Sequence, residues 1–146
     1  MFQAVASAHT VQNSDRDLLI TVLLADDSEI VRRGIRQLLA TRNEIEIVAE
    51  AADYAQTIQL ANDLKPRLIV MDLHMPEEFK ASSQDIKSHL HCGSEILAIS
   101  FSNDEDTMAL ARNFGATVLL DKISLADTLI PTIVRLGQRR RTAVAS

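Results

Sequence analysis

The sequence of 146 residues has a single cysteine, no long hydrophobic run and no excess of basic charge. With Cys92 alone, no disulfide can form within the chain, which is compatible with a reducing compartment. No segment approaches the ~18 consecutive apolar residues of a membrane span, and the N-terminus lacks the basic and apolar regions of a secretory signal. We therefore expect a cytoplasmic protein that makes no membrane contact.

The charge and composition indicate one acidic globular domain. The net charge of −5 argues against a nucleic-acid-binding surface over the whole domain, and hydrophobic residues make up 47% of the chain. We predict a domain at 18–138, a flexible tail at 1–17 and a tail or linker at 139–146. The arginines at 139–141 are typical of a solvated helix end or linker, or else of a contact with an output domain or nucleic acid. No direct nucleic-acid binding by this chain is predicted.

Apolar runs rich in β-forming residues alternate with amphipathic stretches along this domain. The runs predict buried strands at 18–24, 44–50, 68–71, 95–100 and 117–120. The stretches that follow them predict helices from Ser28, at 53–64, at 83–91, at 104–114 and from Ser124. Five such units predict a doubly wound α/β sheet, because each parallel strand needs a crossover and the helices then cover both faces.

Helix periodicity and capping residues give more detailed expectations. The first helix should be capped by Ser28 and should bury Val31, Ile35, Leu38 and Leu39. The helix at 53–64 should bury Ala55, Ile58, Ala61 and Leu64. Gly115 should end the helix at 104–114. The last helix should begin at Ser124, three residues before Asp127, and should be kinked at Pro131.

Polar residues follow four of the predicted strands, where ligands bind in sheets of this class. They are Asp26, Asp27, Asp72, Ser100 and Lys122. Three neighbouring carboxylates resist ionisation unless a cation neutralises them, and Mg²⁺ prefers such oxygen ligands together with a phosphoryl oxygen. The lysine and the serine hydroxyl could then bind phosphoryl oxygens. The pattern predicts phosphoryl transfer onto Asp72.

Four segments carry a family resemblance: ADDSEIVRRGIRQLL at 25–39, IVMDLHMP at 69–76, ILAIS at 96–100 and GATVLLDK at 115–122. Over roughly 18–138 the chain resembles a two-component response regulator receiver domain, in particular the subgroup usually fused to a helix-turn-helix output domain. The resemblance implies a flavodoxin-like, five-stranded parallel sheet of order 2-1-3-4-5 with helices on both faces.

The same resemblance implies roles for these residues. Asp72 would accept a phosphoryl group from a histidine kinase or phosphotransfer protein. Mg²⁺ would be held by Asp26, Asp27, Asp72 and the backbone carbonyl of His74. Ser100 and Lys122 would bind the phosphoryl oxygens and couple phosphorylation to a conformational switch. The helix at 104–114, the fifth strand and the last helix would form a homodimer surface.

Several positions depart from the family pattern. The segment after Pro76 lacks the usual glycine, and Leu119 occupies the position of the aromatic switch residue. Phe101 replaces a small residue and is expected to limit access to Asp72. These departures leave open a degenerate receiver that acts as a phosphorylation-independent interaction module.

A phosphohydrolase with an aspartyl nucleophile is disfavoured, because His74 stands where such enzymes carry a second aspartate. The chain is therefore not predicted to be an enzyme. The sequence identifies neither the kinase nor the output. It leaves open whether the chain is a stand-alone receiver or part of a longer DNA-binding regulator.

Overall fold

The computed structural model describes residues 19–75, 90 and 93–145, with side chains described as far as residue 138. The strands are β1 Ile20–Ala25, β2 Ile45–Ala51, β3 Leu68–Asp72, β4 Glu95–Ser100 and β5 Ala116–Asp121. The helices are α1 Glu29–Leu39, α2 Tyr54–Leu64, α3 Glu105–Phe114 and α4 Leu125–Ala145, with a 3₁₀ turn at Lys122–Ser124 before α4. The helix predicted at 83–91 and the altered segment after Pro76 lie outside the described residues.

The five strands form one parallel sheet of order β2-β1-β3-β4-β5, which confirms the predicted fold class. The register places Ala25 opposite Met71 and Asp72 opposite Ile99. On the other side of β4, Ser100 lies opposite Asp121. The ends of β1, β3, β4 and β5 therefore meet at one edge of the sheet.

Each face of the sheet has its own hydrophobic core. On one face α1 and α4 contribute Ile35, Leu39, Leu129 and Ile133. On the other face α2 and α3 contribute Tyr54, Ala61, Ala111 and Phe114. All five residues of β3 are buried, because this central strand is covered on both faces.

Two of the predicted helix-capping residues, Ser28 and Gly115, cap their helices in the structure. The Ser28 side chain accepts a hydrogen bond from the Val31 amide at 3.2 Å, which satisfies one of the unpaired donors at the start of α1. Gly115 ends α3 with a φ of 81°, a left-handed conformation that costs glycine little. Asp53 and Asp104 cap α2 and α3 in the same way as Ser28 caps α1.

The predicted inner face of α2 is wrong at two positions, since Ala55 and Leu64 are exposed. The helix instead buries Tyr54, Thr57 and Ala61, which shifts the buried stripe by one residue. Thr57 can occupy this face because its hydroxyl donates to the Asp53 carbonyl at 2.6 Å, so no polar group is buried without a partner.

The last helix begins at Leu125, one residue after the predicted start, but the capping role predicted for Ser124 is wrong. The 3₁₀ turn begins at Lys122, and its capping residue is Asp121, whose carboxylate accepts the Ile123 amide at 2.9 Å. Ser124 donates back to the Asp121 carbonyl at 3.4 Å instead of capping α4. An aspartate directly after β5 starts the helical turn before Ser124 is reached. Helix α4 runs through Pro131 to Ala145, while the domain boundaries at 18 and 138 stay predictions.

Among the described residues, no helix combines the length and apolar character needed to cross a membrane.

Candidate functional site

The sheet edge brings together the residues that follow four strands. Asp26 follows β1, Asp72 ends β3, Ser100 ends β4 and Lys122 follows β5. Asp72 pairs with Ile99 of β4, and Ser100 pairs with Asp121 of β5. The Asp26 amide donates to the Ala51 carbonyl at 3.0 Å. The backbone therefore fixes these side chains to a rigid frame.

Asp26, Asp27 and Asp72 form an acidic cluster. Each offers one carboxylate oxygen, and these oxygens all lie within 4.8 Å of one another. Asp26 is 0% exposed and Asp72 is 3% exposed, whereas Asp27 faces solvent. A cation arriving from water would therefore meet Asp27 first and the two buried carboxylates behind it.

The Lys122 ammonium contacts two carboxylates of the acidic cluster. Its Nζ lies 2.7 Å from Asp26 Oδ2 and 3.4 Å from Asp72 Oδ2, and its side chain is buried. Three ionised carboxylates and one ammonium leave two negative charges uncompensated at this edge. Buried like charges at such distances repel strongly, so the cluster favours binding of a divalent cation.

The oxygens of Asp26 differ in their bonding. Oδ1 accepts the Ser28 amide at 2.8 Å. Oδ2 is buried and contacts Lys122, but among the described residues it accepts no hydrogen bond of normal geometry. The Lys122 ammonium therefore compensates the charge of this oxygen. The three neighbouring carboxylates still form an all-oxygen donor set, which fits Mg²⁺.

Asp72 has a perturbed titration. Burial raises the pKa of its carboxyl group, and the charge of Asp26 raises that pKa further. The His74 amide, which donates to Asp72 Oδ1 at 3.1 Å, and the Lys122 ammonium act in the opposite direction. Perturbed pKa values cluster at functional sites, so the raised pKa adds to the geometric reasons for treating Asp72 as a candidate site residue.

Ser100 lies at the same edge and is 1% exposed. Its Oγ accepts the Ser102 amide at 3.1 Å, so the hydroxyl hydrogen can be donated to another oxygen. The structure thus brings all five predicted polar residues to one edge, with Lys122 in contact with Asp26 and Asp72 and with Asp27 beside them. His74 lies in the turn after β3 with its side chain exposed.

Phe101 and Leu119 have different surroundings. Phe101 is 65% exposed, and its ring centroid is 5.0 Å from Lys122 Nζ, within the range of a cation–π contact. Leu119 lies half-buried on β5 and packs against the core of α2 and α3. It borders a groove of about 390 Å³ whose lining includes Met108, Ala111 and Arg112.

Two residues near the site were not predicted from the sequence. The Arg32 guanidinium donates to the Asp26 carbonyl and to Glu50, which ties the end of β1 to β2. The Tyr54 hydroxyl contacts the backbone on both sides of His74. The sequence held one weak signal: Tyr54 is the only tyrosine in the chain and directly follows the α2 cap.

Comparisons with known proteins agree with the geometry. The family model for the response regulator receiver domain matches residues 22–134. The nitrate/nitrite response regulator protein NarL of Escherichia coli (strain K12) is 35% identical over 113 residues, covering 77% of this chain and 52% of NarL. The response regulator protein VraR of Staphylococcus epidermidis is 38% identical over 111 residues, covering 75% of this chain and 53% of VraR.

A solved structure shows the same fold. The crystal structure of a LuxR-family two-component response regulator from Aurantimonas sp. SI85-9A1 has a TM-score of 0.72 and 27% identity. The match covers 82% of this chain and 86% of that one. The chain spans about half the length of the curated relatives that it matches.

Proposed function

Because this chain belongs to the family of response regulator receiver domains, the signalling modules of two-component systems, we propose that Asp72 is its phosphoacceptor. The phosphoryl group would come from a histidine kinase or phosphotransfer protein. The observation that carries the proposal is the contact of the Lys122 ammonium with both Asp26 and Asp72, at 2.7 and 3.4 Å, beside the exposed Asp27.

Asp72 is suited to be the nucleophile because its carboxylate is held in one orientation by the His74 amide. One carboxylate oxygen forms a bond to phosphorus while the bond from phosphorus to the donor's imidazole nitrogen breaks. The imidazole leaves with that electron pair and takes a proton from solvent. Lys122 contributes a positive charge next to the transferred group, and Ser100 contributes a hydroxyl donor.

The residues present fit Mg²⁺, which the acidic cluster and the His74 carbonyl would hold. When bound, it would neutralise the carboxylates and the incoming phosphoryl oxygens. The raised pKa of Asp72 makes this neutralisation useful, since a nearby cation favours the ionised, nucleophilic form. Asp27, which is exposed, would be the first ligand that the hydrated ion meets.

The remaining proposals concern partners. A homodimer would form through α3, β5 and α4, and a cytoplasmic location would suit a kinase partner.

Two residues would limit the response to phosphorylation. Leu119 would weaken the conformational switch that follows phosphorylation, and Phe101, at 65% exposure beside Lys122, would slow access to Asp72. If the chain does not take a phosphoryl group, these two residues favour the alternative of a phosphorylation-independent interaction module.

Acetyl phosphate labelling followed by peptide mass spectrometry tests the proposal. We expect a Mg²⁺-dependent mass gain of one phosphoryl group at Asp72, none in Asp72→Asn and faster labelling in Phe101→Ala. Asp53→Asn is the matched control, because Asp53 caps α2 away from the acidic cluster and Asn also caps well. Equal labelling of Asp72→Asn would contradict the assignment, and no labelling of any variant would favour the interaction module.

A further inference from the structure

The turn after Asp72 is held by one tyrosine from a distant part of the chain. Tyr54 begins α2 and is a buried residue, with 5% of its surface exposed. Its hydroxyl donates to the Leu73 carbonyl at 2.8 Å and accepts the Met75 amide at 3.2 Å. Both bonded groups flank His74, so the hydroxyl bridges the turn across this residue.

Two further bonds fix the same turn. The Leu73 amide donates to the Ile99 carbonyl of β4 at 3.3 Å, and the His74 amide donates to Asp72 Oδ1 at 3.1 Å. Together with the Tyr54 hydroxyl, they hold the amides of three successive residues, 73–75. The His74 side chain is exposed and adds no anchor of its own to this turn in the described core. The His74 carbonyl belongs to the same planar peptide group as the Met75 amide, so the bond from that amide to the Tyr54 hydroxyl restrains the direction of the carbonyl.

The ring of Tyr54 is itself held in place. It stacks on Phe114, with ring centroids 5.6 Å apart and an interplanar angle of 26°. Phe114 is 1% exposed at the end of α3, so the stack lies in the core between α2 and α3. The ring supplies packing and the hydroxyl supplies the turn contacts, which means that the two contributions can be removed separately.

We infer that Tyr54 is a positioning residue for the divalent cation: its hydroxyl orients the His74 peptide so that the carbonyl faces the acidic cluster. The inference rests on the proposed function, in which that carbonyl is a metal ligand. Groups that orient metal ligands without touching the metal typically change affinity by ~10–100-fold when they are removed. Tyr54→Phe should therefore weaken Mg²⁺ binding about tenfold while it leaves the ring stack intact.

The matched control is Thr57→Val. Thr57 also carries a buried hydroxyl on α2, but this hydroxyl donates to the Asp53 carbonyl and does not hydrogen-bond the described turn at 72–75. Both variants lose one buried hydroxyl from the same helix, so a loss of stability should affect them alike. A second control, Phe114→Leu, removes the stacking partner and keeps the hydroxyl.

The experiment has two readouts, neither of which is phosphorylation. Calorimetric titration with MgCl₂ gives the dissociation constant, and amide hydrogen exchange of the metal-free proteins reports on the Met75 amide. We expect Tyr54→Phe to bind about tenfold more weakly and to exchange Met75 faster, because this amide loses its acceptor. Thr57→Val should stay within about twofold of the unmodified protein in affinity.

Two results would overturn the inference while leaving the proposed function intact. The first is Mg²⁺ binding by Tyr54→Phe that equals that of the unmodified protein. The second is an equal loss in Tyr54→Phe and Thr57→Val, which would assign the effect to general stability. If the unmodified protein itself binds no Mg²⁺, the proposed function fails and the inference fails with it.

Discussion

At the residue scale, the site combines features that oppose stability. Asp26 and Asp72 are almost fully buried, carry the same charge and share one ammonium partner, Lys122. Residues chosen for stability alone would not be arranged in this way, because each buried charge has a desolvation cost. The raised pKa of Asp72 is a direct consequence, with burial as its main cause.

This cost predicts that Asp72→Asn raises the stability of the metal-free protein at neutral pH. A carboxyl group whose pKa is higher in the folded state destabilises that state above the raised pKa, and the penalty disappears below the unfolded pKa. Asn removes the charge and can still accept the His74 amide. We expect a rise in Tm of a few degrees, the order of shift that ~1 kcal/mol produces in a domain of this size.

Thermal unfolding at several pH values checks this expectation. The advantage of Asp72→Asn should be largest near neutral pH and should shrink as the pH falls toward the ordinary Asp pKa of ~3.9. Asp104→Asn is the contrast, since the Thr107 amide lowers the pKa of Asp104 and its ionised form stabilises α3. A lower Tm for Asp72→Asn at neutral pH would show that its contact with Lys122 outweighs its burial.

At the element scale, the strands and the polar residues at their ends could be predicted from the sequence. The buried face of α2 and the cap of the last helical turn could not, because tertiary contacts determine them. Buried strands and the residues that follow them are visible as apolar runs ended by polar residues. The inner face of α2 was not visible, because Thr57 is buried only by virtue of its bond to Asp53 and Tyr54 by its stack on Phe114. Likewise, Ser124 does not cap α4, because the 3₁₀ turn that Asp121 caps starts directly after β5 and includes Ser124.

The position of Leu119 on β5, next to α3, leads to a prediction about conformational switching. Leu119 packs half-buried against the α2 and α3 core and borders a groove of about 390 Å³. An aliphatic side chain of this size can pack similarly in both states, so it adds little differential free energy to the switch. A tyrosine at this position could occupy either the groove or solvent, and Leu119→Tyr should therefore enlarge the response.

Amide chemical shifts with and without Mg²⁺ and beryllofluoride measure this response. We expect small changes over residues 104–122 in the unmodified protein and larger changes in Leu119→Tyr. Glu46→Tyr is the control, since it adds the same ring at an exposed position of β2, outside the groove beside Leu119. Large changes in the unmodified protein would mean that Leu119 does not limit the switch.

At the scale of the whole molecule, stability and function lie in different places. Two hydrophobic cores cover the faces of the sheet, whereas the functional residues occupy one edge where four strands end. The two cores keep the sheet folded despite the charge repulsion at its edge. The strands therefore hold the carboxylates in place whether or not a cation is bound. The cost of the acidic cluster should therefore appear as a dependence of global stability on divalent cations.

Magnesium binding should accordingly raise the Tm of the unmodified protein. A ligand that binds only the folded state stabilises it by RT ln(1 + [L]/Kd), which is ~2.7 kcal/mol at a hundredfold excess over Kd. Asp27→Ala should lose most of this rise, because it removes the exposed carboxylate of the cluster while leaving the buried pair and both cores unchanged. Unfolding in MgCl₂, against NaCl of equal ionic strength, separates specific binding from screening of surface charge. Equal rises in the two salts, or an undiminished rise in Asp27→Ala, would show that the acidic cluster does not hold the ion.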